Sequence, residues 1–367
     1  MKQELMHYTY ITAFLFMFSY IPVMHGKQCT SENYTRGDTL KKTGQNVSIL
    51  FWNVENLYDP QDDTSRRDEE FTSAGYYHWT WSRLYAKLNH VAKTILAAGK
   101  WEPPAIIGVC EIENRRVLQR LIYDTPLKIW QYRIIHFDSP DVRGIDVACI
   151  YRPAIFKPLV SHPIVVKFPF DTLATTRDIL YIKGLLANRD TLHLFINHWP
   201  SRRGGEETSR HGRNHAAFIL RNVVDSILAI TPRTSLLIMG DFNDEPNDES
   251  LRSVLRAGEY VRGDTVPHLV NLMLPKVGKD GTHKFQGHWG ILDQFIVSSA
   301  MLEPDASTFT SYSMATIFKP QFVLQEDNRY FGSKPSRTYV GPRYSGGFSD
   351  HLLVRIEIHV MNIKSDE

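Results

Sequence analysis

Short apolar runs, each long enough for one β-strand, recur along this chain and stop at polar residues. The runs are VSILFW (47–52), AIIGVC (105–110), IDVACIY (145–151), ILYIKGLLA (179–187), TLHLFI (191–196), TSLLIM (234–239), ILDQFIV (291–297) and HLLVRIEIHV (351–360). Apolar runs of this length, bounded by turn residues, are typical of strands buried within a sheet protein. The chain is therefore predicted to build its core mainly from strands.

Two segments between these runs carry a helical pattern. Apolar residues recur at a spacing of 3.6 in 82–98 and again in 213–230. Strands mixed with helices, without strict alternation, favour an α/β or α+β architecture with a mixed sheet. With 43% hydrophobic residues among 367 and no low-complexity linker, we expect one domain over 46–362. Weak periodicity predicts an irregular insertion near 302–346.

The N-terminal segment is typical of an export signal. Lys2 precedes an apolar, aromatic-rich stretch at 8–24, which predicts a signal peptide over 1–26 and a polar leader over 27–45. An N-terminal membrane anchor is the alternative, although the stretch is marginal for spanning a bilayer. The protein is accordingly predicted to be exported, to the periplasm, the medium or the cell surface. No other apolar run is long enough to cross a membrane.

Charge and cysteine content restrict the possible partners. A formal net charge of +2 does not indicate a general polyanion binder, so attraction to nucleic acid needs a local patch. Arg202 and Arg203 begin an arginine-rich stretch that fits such a patch, or equally a solvated charge cluster interrupted by acidic residues. Cys110 and Cys149 lie within apolar runs, which favours buried thiols over a disulfide between them.

The polar residues at the ends of the apolar runs are the main candidates for a functional site. They are Asn53 and Glu55, Glu111, Asn197 and His198, Asp241 and Asn243, Asp293, and Asp350 with His351. Each one alone is more simply explained as a turn or a helix cap. Six such endings in one chain favour a site, because strand ends bring distant residues to one edge of a sheet.

These residue types fit a single chemistry. Carboxylate oxygens suit Mg²⁺ or Mn²⁺, which bind through a few carboxylates together with substrate phosphate. Histidine exchanges protons near neutral pH, and arginine pairs with phosphate through two hydrogen bonds. The chain lacks a zinc-ligand cluster, a G-x-S-x-G elbow and a P-loop. The sequence therefore predicts a metal-dependent site for a phosphate ester.

The ordered motifs N-x-E, E-x-E-N, N-H-W-P-S-R, G-D-F-N-D, L-D-Q-F and S-D-H closely resemble those of the endonuclease/exonuclease/phosphatase superfamily, the deoxyribonuclease I-like fold. The resemblance covers residues 47–358 and suggests an exported, bacterial-type member. It implies a four-layer sandwich, in which two mixed β-sheets pack face to face with helices outside. Members of this superfamily are metal-dependent phosphoesterases that cut nucleic acids, sphingomyelin, inositol phosphates or small phosphodiesters.

The resemblance also implies roles for individual residues. Glu111 is similar to the principal Mg²⁺ ligand, with Asn53 and Asp350 nearby, and Glu55 stands where several nucleases have Asp. Asp241 and Asn243 resemble the pair that orients the attacking water and holds the scissile phosphate. His351 resembles the histidine paired with a strand-end aspartate, here Asp293, and His198 a second active-site histidine. The phosphate-binding candidates are Asn53, Asn197, Arg202 and Arg203.

The function that follows from the resemblance is phosphate ester hydrolysis by in-line attack of an activated water. An exported monomeric endonuclease dependent on Mg²⁺, with Mn²⁺ as the other candidate ion, is the first hypothesis, and its partner is nucleic acid or another phosphodiester. A sphingomyelinase-like or inositol-phosphate-like enzyme is the alternative. A catalytically silent binding protein on the same fold is a third reading, disfavoured because Glu111, Asp241 and both histidines are present.

Overall fold

The computed structural model describes residues 44–100, 102–202, 204–264 and 266–362. The predicted signal peptide or anchor at 1–26 lies outside the described residues, as do most of the polar leader and Arg203. The first strand begins at Gly44, so the last two residues assigned to the leader belong to the fold. Within the described residues, no helix is long and apolar enough to cross a membrane.

The elements follow one another along the chain as strands interrupted by three α-helices within the described residues. The strands are β1 (Gly44–Leu57), β2 (Ile106–Ile112), β3 (Arg133–His136), β4 (Asp146–Tyr151), β5 (Lys157–Ile164), β6 (Ile179–Leu185), β7 (Thr191–His198), β8 (Ser235–Asp241), β9 (Ala257–Gly258), β10 (Leu269–Asn271), β11 (His283–Phe285), β12 (His288–Gly290), β13 (Asp293–Ser298), β14 (Thr308–Phe309), β15 (Ala315–Phe318), β16 (Leu324–Glu326), β17 (Ser333–Pro335), β18 (Tyr339–Val340), β19 (Arg343–Tyr344) and β20 (Leu353–Met361). The helices are α1 (Trp81–Ala98), α2 (Arg115–Tyr123) and α3 (Glu206–Ile230).

Two seven-stranded mixed sheets organise the described residues. The first has the order β14-β20-β1-β2-β4-β3, with β15 also pairing β20, and the second has the order β5-β6-β7-β8-β13-β10-β9. The pairs β1–β2, β7–β8 and β9–β10 are parallel, whereas the other pairs in these sheets are antiparallel. Within the first sheet β1 is central, and within the second β7 and β8 are central.

The sheets pack face to face because their central strands are apolar on both faces. In β1, Val47, Ile49 and Phe51 enter the core between the sheets. Leu50 and Trp52, which alternate with them, pack with α1 and α2 instead. This two-residue alternation is the geometry of a strand covered on both sides. A third cluster packs the outer face of the second sheet against α3. The predicted four-layer sandwich is confirmed.

Local sequence signals set most of the element ends. The Thr80 side chain accepts a hydrogen bond from the Arg83 amide at the start of α1, and Asn114 caps α2 in the same way. The segment predicted as a helix from 213 begins seven residues earlier, at Glu206. Its first two turns are polar and include Gly212, so they carry no apolar stripe that would reveal them. Cys110 and Cys149 are free and buried, as the favoured interpretation held.

The region 302–346 has little regular structure. Its strands β14 to β19 are short, and the pairs β16–β17 and β18–β19 form two separate hairpins. Weak periodicity predicted this irregularity. The region nevertheless brings Arg337 and Thr338 back against the end of β1, which the sequence did not indicate.

Candidate active site

The carboxylate of Asp241, at the end of β8, lies at the centre of the candidate site. In the sheet register, Asp241 is opposite Asp293 of β13 on one side and opposite His198 of β7 on the other. Its Oδ2 atom accepts a hydrogen bond from Asn53 Nδ2 at 3.0 Å. Burial, with the nearby charge of Asp293 adding to it, raises the pKa of Asp241 to about 7. Two central strands of one sheet and β1 of the other therefore meet at this side chain.

Glu111 adjoins Asp241 through the same amide. Asn53 Nδ2 lies 3.3 Å from Glu111 Oε1, and the Asn56 amide donates to Glu111 Oε2 at 2.8 Å. The Asn53 Oδ1 atom accepts from the Glu55 amide at 2.9 Å, which fixes the orientation of the amide group. Asn53 therefore points its two N–H bonds at two carboxylates, an arrangement that holds these like charges close together.

Three of the candidate residues have backbone conformations that side chains disfavour. Glu55, Glu111 and Asn243 have φ values of +53°, +61° and +52°. The register between β1 and β2 shifts after Asn53, and that between β2 and β4 shifts after Cys110. Such bulges turn a side chain out of the strand's alternation, and strain of this kind is concentrated at functional sites. Here they turn Glu55 and Glu111 toward the ends of the strands.

His351 is held between two aspartates. Its Nδ1 lies 2.7 Å from Asp293 Oδ2, and its Nε2 lies 3.7 Å from Asp241 Oδ2. The backbone is fixed by Ser349, whose hydroxyl accepts from the His351 amide and donates to the Asn53 carbonyl. Burial acts to lower the pKa of His351, but the Asp293 and Asp241 carboxylates outweigh it and raise that pKa well above the usual value. The imidazole is therefore a cation at neutral pH.

His198 approaches Asp241 from the other side in a different environment. Its Nε2 lies 3.7 Å from Asp241 Oδ2 and 4.0 Å from Glu111 Oε1. Among the described residues, its buried Nδ1 has no hydrogen-bond partner. Burial, together with the positive charges of Arg177 and Arg143, lowers the pKa of His198 well below the usual value. Arg177 donates to the backbone carbonyl of His198 at 3.1 Å, so this cation is built into the strand end.

Glu55 and Asp350 lie beside the same strand ends as Asn53, but both already have cationic partners. Arg337 reaches Glu55 Oε1 at 3.2 Å and Asp350 Oδ2 at 2.8 Å. Lys87, fully buried in α1, lies 3.7 Å from Glu55 Oε2, which also accepts from the Thr338 amide. Asp350 is joined to the rest of the site, since its carboxylate lies within 4.8 Å of ring nitrogens of His351 and His283. Sequence reasoning missed Arg337, Lys87 and His283.

The structure brings Asn243 into the cluster. Its backbone amide donates to Asp241 Oδ1 at 3.0 Å, and its side-chain Nδ2 donates to the Trp199 carbonyl. Asn197 is fully buried, and its side chain bonds Met239 and Trp199. A Cβ on Gly240 would lie 2.5 Å from the Asn197 carbonyl, so glycine is needed at that crossing. Asn197 therefore supports the strand end through its side chain, and its assignment as a phosphate-binding residue stays a prediction.

Arg202 also has partners other than those expected. It donates to the Asn243 carbonyl at 2.8 Å and pairs with Asp244, Asp248 and Glu206. The guanidinium is thus neutralised by acidic residues beside the cluster, instead of standing free for phosphate. Arg213 makes a similar pair with Asp244 at 2.7 Å. Over its described residues, the predicted arginine patch is largely paired with acidic side chains, partly at the surface.

The donor set fits a hard divalent cation. Within the described part of the chain, neither Glu111 nor Asp241 forms an ion pair with Lys or Arg, although both are largely buried. Asp241 has the His351 imidazolium beside it, but Glu111 has no such cation among the described residues, and a largely buried carboxylate without one is costly. Oxygen donors from Glu111 and Asp241, with Asp350 and Glu55 nearby, match the ligands that Mg²⁺ and Mn²⁺ prefer. The Asn53 oxygen, predicted as a further ligand, accepts from the Glu55 amide instead.

Comparison with known proteins identifies a family profile and several similar solved structures. The profile of the Endonuclease/Exonuclease/phosphatase family matches residues 48–360, and no curated protein sequence matches the chain. Among similar solved structures, a mannosyl-6-phosphatase from Bacteroides thetaiotaomicron VPI-5482 has a TM-score of 0.53 and 13% identity, with 85% of this chain and 99% of that one covered. An endonuclease/exonuclease/phosphatase family protein from Bacteroides thetaiotaomicron has a TM-score of 0.52 and 14% identity, over 87% of this chain and 99% of its own.

Truncated Caenorhabditis elegans TDP2 has a TM-score of 0.50 and 17% identity, over 86% of this chain and 97% of its own. At these identities the structural likeness shows the fold alone. The family profile, in contrast, spans most of the chain, including all the candidate site residues from Asn53 to His351. The chain therefore belongs to the endonuclease/exonuclease/phosphatase family, whose enzymes depend on divalent metal ions, and is a phosphoric ester hydrolase.

Proposed function

We propose that the protein is a Mg²⁺-dependent phosphodiesterase, and that its substrate is a nucleic acid cut by in-line attack of water. The observation that carries the proposal is the chain of contacts Asp293–His351–Asp241–Asn53–Glu111. It places a cationic imidazole, a carboxylate with a raised pKa and a carboxylate without a resident cation side by side. Phosphoryl transfer needs chiefly positioning and neutralisation of charge, and these groups supply both.

The side chains take separate roles. Asp241, with a pKa of about 7, is suited to orient a water and accept its proton near neutral pH. His351 is cationic, so it opposes negative charge that develops on the phosphoryl oxygens. His198 is neutral and can donate or accept a hydrogen bond through Nε2. Asn243, whose backbone amide donates to Asp241 Oδ1, is proposed to contact the phosphate.

Glu111 is proposed as the principal metal ligand. Asp350 and Glu55 are the further oxygen donors at the same ends of the strands. A bound Mg²⁺ or Mn²⁺ would supply electrostatic stabilisation of charge on the phosphate oxygens. Asn53 supports the site by holding the Glu111 and Asp241 carboxylates beside its side-chain nitrogen, at 3.3 Å and 3.0 Å.

A phosphomonoester is the second candidate substrate. Arg337 adds a partly exposed cation at the rim, beside Glu55 and Asp350, and a monoester carries more negative charge than a diester. A relative of the same fold is described as a mannosyl-6-phosphatase. The guanidinium of Arg337 could therefore pair with the additional charge of a terminal phosphate.

A substrate screen in the presence and absence of Mg²⁺ tests the proposal. The substrates are plasmid DNA, RNA, bis-p-nitrophenyl phosphate, sphingomyelin, inositol phosphates and a sugar phosphate, with Asp241→Asn as the inactive control. We expect cleavage of nucleic acid that weakens steeply as salt rises, because phosphate contacts release counterions. Hydrolysis of sphingomyelin, inositol phosphates or the sugar phosphate alone, with little salt dependence, would contradict the nuclease assignment.

A further inference from the structure

A cavity of about 700 Å³ opens beside the candidate active site. It lies between the start of α3 and the β11–β12 hairpin. Asn243 and His283 form the wall nearest the catalytic residues. The remaining lining includes Phe285, His288 and Leu292 together with the charged Arg202, Glu206 and Glu245. The wall is mostly apolar, and the volume is in the range of small-molecule sites. The cavity therefore continues from the place where the scissile phosphate would lie.

The hairpin is fixed to the catalytic residues at its base. Thr282 accepts hydrogen bonds at its hydroxyl from the Asp293 amide at 3.1 Å, and at its carbonyl from the Leu352 amide at 2.7 Å. The His283 and His351 rings lie 4.7 Å apart. Farther along, the buried Lys284 ammonium pairs with Asp327 at 2.9 Å. Phe285, the next residue, is therefore held at a defined position relative to His351.

Phe285 is exposed in spite of this rigid support. Its side chain is 65% exposed where it lines the cavity. Phe331, on the adjacent β16–β17 connection, is 84% exposed but does not line the cavity. Lys284 ties the two hairpins together by donating to the Phe331 carbonyl. Both phenylalanines are exposed, and only Phe285 of the two lines the cavity.

We propose that the cavity binds the nucleoside attached to the scissile phosphate, with its base stacked on the ring of Phe285. This inference rests on the proposed function, because the phosphate of that nucleoside would be the one held at Asn243 and His351. An aromatic face on a rigid hairpin accepts any base, since every base has a π-face. His283, whose ring lies 4.7 Å from that of His351, joins this surface to the catalytic residues.

The test compares two diesters with the same leaving group. The p-nitrophenyl phosphodiester of thymidine carries a nucleoside, whereas methyl p-nitrophenyl phosphate carries none. Stacking contributes about 1–3 kcal/mol per base by alanine substitution. We therefore expect Phe285→Ala to lower kcat/KM for the thymidine diester by about tenfold. Turnover of the methyl diester should stay within about twofold, because its chemistry is the same and it has no base.

Two further variants control for changes in folding. Phe285→Trp keeps an aromatic face and should retain the preference for thymidine, whereas Phe331→Ala should leave both diesters unchanged. Equal losses on the two diesters in Phe285→Ala, or no loss on the thymidine diester, would overturn the proposal. A loss confined to sphingomyelin would assign the cavity to a lipid chain instead.

Binding measured without turnover separates this proposal from the proposed function. Titration calorimetry with thymidine monophosphate, in Ca²⁺ to suppress hydrolysis, should show affinity weakened about tenfold in Phe285→Ala and unchanged in Phe331→Ala. If the wild-type protein hydrolyses neither diester, the proposed function fails and this titration alone decides the cavity. Equal affinities for the wild type and Phe285→Ala would then refute the stacking site.

Discussion

The two histidines beside Asp241 lie at the same distance from it but differ in their electrostatic environments. The Nε2 atoms of His198 and His351 each lie 3.7 Å from Asp241 Oδ2. The difference is at the other ring nitrogen. His351 Nδ1 bonds the Asp293 carboxylate, whereas the buried His198 Nδ1 has no partner among the described residues. The positive charges of Arg177 and Arg143 act on the His198 ring.

The pKa values of the two rings consequently move in opposite directions. The carboxylates around His351 favour its cation, while burial and the arginines disfavour the cation of His198. At neutral pH the pair is therefore one imidazolium and one neutral imidazole. The partner of the distal nitrogen, and not the distance to Asp241, is the reason we propose charge stabilisation by His351 and neutral hydrogen bonding by His198.

The largest expected effect on kcat comes from removing each imidazole ring in turn. We expect His351→Ala to lower kcat on bis-p-nitrophenyl phosphate by on the order of 10²-fold or more, because a cation in the transition state is lost. His198→Ala should cost less, since it removes a neutral group. Thermal melting of both variants controls for folding. Near-normal turnover in His351→Ala, or a larger loss in His198→Ala, would break the comparison.

A smaller effect is expected from Asp293→Asn, which keeps an acceptor for His351 Nδ1 but removes the charge. The cationic form of His351 is then less favoured, so its pKa falls. We expect a roughly tenfold loss of kcat at neutral pH and an alkaline limb of the pH–rate profile that moves to lower pH. A profile with an unmoved alkaline limb would show that Asp293 only positions the ring.

The strand ends could be predicted from the sequence because they depend on local pattern. An apolar run that stops at Asn53, Glu111 or Asp241 marks both a strand and its end, and two-residue alternation fixes which faces are buried. Together with the family motifs, this was enough to predict the sandwich and the residues that converge at Asp241. Their roles remain predictions, since placement in one cluster does not measure catalysis.

The partners of charged side chains could not be predicted in the same way. Arg202 has the residue type and position of a phosphate ligand, yet Asp244 and Asp248 neutralise it. Arg337 comes from an irregular segment and meets Glu55 across 282 positions of sequence. No periodicity records such a contact, because loop closure over long separations leaves no local pattern. Which cation meets which carboxylate is a property of the assembled fold.

The comparison extends to the carboxylates, since Glu111 has no resident Lys or Arg partner in the described chain whereas Glu55 and Asp350 share Arg337. We expect Arg337→Met to raise the affinity for Mn²⁺ several-fold, because two carboxylates lose a competing cation. Calorimetry on the chelator-treated protein measures it. Arg233→Met, which removes an exposed pair with Asp305, is the matched control. Weaker Mn²⁺ binding in Arg337→Met would instead make Arg337 a support for the ligands.

The smallest effect concerns the pH dependence of stability in the metal-free protein. The folded-state pKa of His198 is lowered, so its contribution to stability is full above the unfolded value of about 6.5 and is lost as pH falls below it. The pKa of His351 is raised, so its contribution is full below about 6.5 and is lost as pH rises through the folded value.

Each histidine should therefore shape a different limb of the melting-temperature profile. His198→Gln is expected to flatten the decline on the acid side, and His351→Gln the decline on the alkaline side, by a few degrees in Tm. Differential scanning calorimetry in the presence of a chelator measures both limbs. If the two variants flatten the same limb, the two rings share one protonation state. The difference in charge inferred from their Nδ1 environments would then be wrong.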